Sequence, residues 1–81
     1  MNRAEIEQLI ATDLTLRSGS YHYSEHQSAV VWTKEAKGNS AYGTRRKLER
    51  RYGLPVEVIN LRHYANNMGT RIMKIVFPCS D

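Results

Sequence analysis

Cysteine is scarce in this chain of 81 residues: there is one, Cys79, so no disulfide can form within it. Small folds without disulfides belong to reducing compartments, and a cytoplasmic location is the expectation. Long apolar runs are missing as well. No segment approaches the ~20 apolar residues that a membrane helix needs. Met1-Asn2-Arg3-Ala4-Glu5 turns acidic where a secretory leader would carry its apolar core. No membrane partner is therefore expected. The three histidines and Cys79 match no zinc spacing, and Cys79 has no C-x-x-C companion. There is no glycine-rich phosphate loop, no nucleophile elbow and no paired-carboxylate constellation, so neither metal nor cofactor is expected. The aromatic motif of RRM domains, the GxxG loop of KH domains and the pattern of double-stranded-RNA-binding domains are absent too.

The composition describes a folded chain: 41% apolar and 25% charged residues are too hydrophobic for a disordered tail. Its length allows one small domain, residues 1–81, near the lower limit for a self-sufficient core. Stability on the order of 5 kcal/mol follows, and homodimerisation would be a natural way to bury more surface.

Asn2 and Glu5 are spaced as a capping box, and Ile6, Leu9 and Ile10 follow at helical spacing. Leu14-Thr15-Leu16 switches to period two and predicts a short extended segment, with a continuation of the helix as the alternative, and Ser18-Gly19-Ser20 predicts a turn. Tyr21-His22-Tyr23 and Ser28–Thr33 read as two strands closed into a hairpin by Ser24–Gln27. Lys34–Asn39 reads as a polar loop, with Ser40 as N-cap of a second helix that runs to Tyr52 and is stopped by Gly53 and Pro55. Val56–Leu61 and Arg71–Phe77 are two more strands, and Asn66-Asn67-Met68-Gly69 has the chemistry of their turn. The fold class is α+β, in the order α-β-β-α-β-β: an antiparallel sheet with helices packed on one face.

What the chain does have is one concentration of charge. Thr44–Arg51 holds five of the twelve basic residues and one acid, Glu49, so it carries the whole formal +4. On a helical projection Ala41, Leu48 and Tyr52 form an apolar stripe, and Arg46, Lys47, Arg50 and Arg51 span an arc of about 140° opposite it. Arg45 lies beside the stripe, one turn before Glu49, which can pair with it or with Arg46. Arg46–Arg50 and Lys47–Arg51 are like-charge pairs at i, i+4, each unfavourable by about 0.2–0.5 kcal/mol. A one-sided basic face is the footprint of a polyanion site. Four or five phosphate contacts would give a slope of log affinity against log salt of about −3 to −4.

The leading expectation is a non-enzymatic nucleic-acid-binding protein, RNA preferred, contacting the backbone with little sequence preference through Arg45, Arg46, Lys47, Arg50 and Arg51. Lys34, Lys37 and Gly38 precede the second helix, whose first amides would suit a phosphate. Tyr21 and Tyr23 share one face of their strand and would stack bases if exposed beside the basic helix. Two rivals follow. A protein-binding inhibitor of a host enzyme or toxin, of the size that phages and mobile elements use, would act through an exposed edge strand such as Arg71–Phe77, with Met68 and Met73 in the contact. A small metal-independent ribonuclease would use His22, His26 or His63 as acid and base, with Arg62 or a helix arginine on the phosphate.

Overall fold

The computed structural model describes residues 1–61 and 69–80. The turn residues Asn66 to Met68, and Arg62 and His63 with the catalytic roles expected of them, lie outside the described residues.

The first helix, α1 (Arg3–Thr12), starts as its sequence predicts. The Asn2 carboxamide accepts the Glu5 N–H and the Glu5 carboxylate accepts the Asn2 N–H, both at 2.9 Å, so two donors at the helix start are satisfied. Ile6 and Ile10 are buried. The helix ends at Asp13, and here the chain departs from expectation: no extended segment forms over Leu14–Leu16. Asp13 Oδ1 accepts the N–H groups of Thr15 at 2.8 Å and Leu16 at 3.1 Å, which winds the chain into a 3₁₀ turn over Leu16–Ser18. Leu16 is buried and Leu14 exposed, so their alternation never marked a strand face.

Gly19 follows for a packing reason. A Cβ there would stand 2.5 Å from Trp32 Nε1 and 2.7 Å from the Thr33 carbonyl oxygen. The chain passes hard against the buried indole, whose Nε1 donates to the Leu16 carbonyl at 2.8 Å, and only glycine leaves room.

The remaining elements are β1 (Ser20–Ser24), β2 (Ala29–Lys37), α2 (Ser40–Tyr52), β3 (Val56–Asn60) and β4 (Thr70–Pro78). The expected α-β-β-α-β-β order holds, and the four strands form one antiparallel sheet in the order β1-β2-β4-β3. Two expectations are corrected. The first concerns the polar loop placed from Lys34 onward: β2 runs on to Lys37, because β4 offers a continuous partner from Pro78 opposite Ala29 to Thr70 opposite Lys37. The second concerns the edge strand: β4 is central, hydrogen-bonded on both sides, and the edges are β1 and β3. Strand addition at Arg71–Phe77 is therefore blocked. Met73 is buried in the core rather than offered to a partner.

Register puts Tyr21 and Tyr23 on the same face as Val30, Trp32, Ile75 and Phe77, the face the helices cover. The core gathers Ile6, Ile10, Leu16, Trp32, Leu48, Val56, Met73, Ile75 and Phe77. Burying a side chain such as Phe77 stabilises by about 1.5–3 kcal/mol. Cys79 packs at the margin of this core, and its N–H donates to the Ser28 carbonyl at 2.9 Å.

Candidate nucleic-acid interface

The second helix covers Ser40–Tyr52 and ends where its punctuation predicts: Gly53 at φ 66° closes it by donating its N–H to the Glu49 carbonyl. Its start differs from expectation. Asn39 is the N-cap residue, with no side-chain cap, and Ser40 is the first helical residue. The Ser40 hydroxyl turns back to the Lys37 carbonyl at 2.8 Å instead.

Ala41 and Leu48 are buried, and Tyr52 is half-buried with its ring edge-on to Phe77 at 5.8 Å between centroids. The apolar stripe thus faces the sheet, chiefly β3, and the basic arc faces out. Its members divide into two groups. Arg45 pairs with Glu49 Oε1 at 3.6 Å, while Glu49 Oε2 accepts the Val56 N–H at 3.0 Å and ties the helix to β3. Arg51 Nη1 donates to Asp13 Oδ2 at 2.8 Å. Arg46, Lys47 and Arg50 are exposed and, among the described residues, have neither an ion pair nor a hydrogen-bond partner.

Asp13 holds the C-terminal end of α2 by accepting from Arg51 and Tyr52. Its side chain is 6% exposed. Burial pushes its carboxyl upward, but the Tyr52 hydroxyl, the Leu16 N–H, Arg51 and the Thr15 N–H all donate to it, and together they lower it from 3.8 to about 2. The same contact, with burial foremost, pushes the Tyr52 phenol up. Donating to Asp13 lifts Arg51 above its ordinary value.

The other expected residues are dispersed. Lys34 is half-buried on β2, opposite Met73, and Lys37 is exposed at the end of that strand. Lys34 lines a shallow groove with Ser18, Gly19, Thr33 and Glu35, in which one acid offsets the one cation. Tyr21 is exposed, but Tyr23 is half-buried with the Arg3 guanidinium 4.4 Å from its ring centroid. Both stand on β1, the sheet edge opposite β3, and so away from the strand on which the basic helix mainly rests. His22 and His26 are exposed on the first hairpin. Among the described residues no three His, Cys, Asp or Glu side chains converge as a metal site would require.

Two residues of the site went unnoticed in the sequence. Tyr42 is 39% exposed and lines a groove along the helix with Arg45, Arg46 and Glu49. Arg71, on β4, places its guanidinium 5.3 Å from the Tyr42 ring centroid and donates from Nη1 to the Gly38 carbonyl at 2.5 Å. Its Nε is buried without a hydrogen-bond partner. Tyr42 had a readable signal, since it precedes Arg46 by four residues and falls outside the apolar stripe. Arg71 had none, because its neighbours come from another part of the chain. Comparison with protein-family models, with curated proteins and with solved structures finds no match for this chain.

Proposed function

We propose that this chain is a non-enzymatic nucleic-acid-binding protein that grips the backbone of RNA through the outer face of α2. One observation carries this reading: Arg46, Lys47 and Arg50 stand together in solvent with no acidic partner among the described residues. Mutual repulsion makes that arrangement mildly costly to the helix, and a surface selected for solubility alone intersperses both signs. A polyanion removes the repulsion and releases its own counterions. Arginine supplies two of the three cations and presents a planar fork to phosphate oxygens. A single short helix suits backbone contact with RNA better than base reading in a groove.

Fluorescence anisotropy with a labelled RNA tests the proposal. The native chain binds, and Arg46→Glu with Arg50→Glu lowers affinity by more than about 10-fold, since two phosphate contacts are lost and their sign is reversed. Unchanged binding by that double variant contradicts the assignment. The RNA stays intact during the assay; cleavage that disappears in His22→Ala or His26→Ala would establish the ribonuclease alternative instead.

A further inference from the structure

Resting on the proposed function, we infer that Tyr42 is a base-stacking platform at the head of the basic face, so that the site takes single-stranded rather than fully paired nucleic acid. Tyr42, Arg46 and Arg50 recur every four residues on α2, which places them along one ridge at a rise of about 6 Å per step. That rise is close to the separation of successive phosphates in an extended strand. The ridge therefore offers a ring first and then two guanidinium groups in line. A base on the ring and the following phosphates on Arg46 and Arg50 is the pairing of stacking surface and cationic track by which single strands are held.

The ring's setting supports this role. An aromatic side chain on an amphipathic helix ordinarily turns toward the core, yet Tyr42 is 39% exposed while Ala41 beside it is fully buried. Arg71 steadies it: the guanidinium sits 5.3 Å from the ring centroid and is itself fastened to the Gly38 carbonyl. The ring is thus held from the sheet side and forms the wall of the groove shared with Arg45, Arg46 and Glu49. The acid in that groove does not repel a phosphate at full strength, because Glu49 is paired with Arg45 and also accepts the Val56 N–H. In a continuous duplex each base is stacked between its neighbours and has no free face for a ring carried on a helix surface. Paired RNA would meet Arg46, Lys47 and Arg50 only.

The test compares the native chain with Tyr42→Ala and Tyr42→Phe by anisotropy, using a labelled oligouridylate and a fully paired RNA duplex with the same number of phosphates. Tyr42 lies at an exposed helical position, so alanine preserves the helix, as far-ultraviolet circular dichroism will register. Loss of one stacked base lowers oligouridylate affinity by about 5- to 150-fold in Tyr42→Ala, while Tyr42→Phe, which keeps the ring, stays within about twofold of the native chain and duplex binding is unchanged in both. Equal effects of Tyr42→Ala on the two probes, or none on either, overturn the inference while leaving backbone binding intact. Failure of the native chain to bind either probe overturns the proposed function and this inference with it.

Discussion

Arg50 and Arg51 are neighbours in the chain with different surroundings. Arg51 reaches across to Asp13 on the segment after α1, where Tyr52 also donates to the same carboxylate. Arg50 points into solvent without a partner among the described residues. The flank of α2 that carries Arg51 and Tyr52 thus joins two elements distant in sequence, and the flank that carries Arg46, Lys47 and Arg50 makes no ion pair or hydrogen bond with its side chains among the described residues. Similar side chains on one helix differ in their surroundings: the charge matched by Asp13 ties the helix end to the segment after α1, and the other charges have no partner among the described residues. A count of basic residues cannot distinguish them.

Removing the matched side is the strongest way to break this comparison. Asp13→Ala takes away the acceptor for the Thr15 and Leu16 N–H groups, Arg51 and the Tyr52 hydroxyl, and is expected to cost about 2–3 kcal/mol of unfolding free energy in urea titrations. It also frees Arg51, so RNA binding by the folded variant becomes more salt-dependent, by about 0.7 in slope on single strands.

Acid probes the same residue more gently. The folded Asp13 carboxyl lies below its ordinary value of 3.8, at about 2. A lowered carboxyl means that its contribution is complete above 3.8 and drains away as pH falls toward 2. Thermal unfolding followed from pH 5 downward should show this loss in the native chain and a flatter profile over that window in Asp13→Asn.

Smaller effects sharpen the other side. Arg46→Glu with Arg50→Glu, expected to impair binding, should leave stability within about 0.5 kcal/mol of the native chain, because one like-charge pair at i, i+4 is exchanged for another. A destabilisation above about 1 kcal/mol would mean that these arginines do hold the fold. The smallest change is Glu49→Gln. Its carbonyl still accepts the Val56 N–H, so calorimetry should show a loss below about 0.5 kcal/mol. Arg45 then joins the unmatched group, and RNA affinity rises slightly at low salt.

Local signals made much of this readable. The Asn2–Glu5 box and the Ser40–Tyr52 helix were legible because capping chemistry, a 3.6-residue period and a closing glycine all act within a few residues of each other. The outward basic arc followed from the same period. Strand order did not follow, since alternation along β4 is the same whether the strand lies at an edge or in the centre. The end of β2 was hidden because Lys34–Lys37 is held in the sheet by pairing with β4, against its polar composition. The Asp13 contact was hidden for a related reason: its partners Arg51 and Tyr52 are 38 and 39 residues away. Tyr42 carries a weaker signal: its spacing from Arg46 is visible in the sequence, but its exposure depends on how α2 packs against the sheet.

The most direct measurement is the salt dependence of affinity for single-stranded RNA. Single strands lose about 0.7 in slope per phosphate contact, so three unmatched cations, Arg46, Lys47 and Arg50, predict a slope of log affinity against log salt of about −2. A slope of about −3.5 would show that Arg45 and Arg51 reach phosphate as well, against the division drawn along α2. A slope near zero, or no binding at low salt, would contradict the nucleic-acid reading itself.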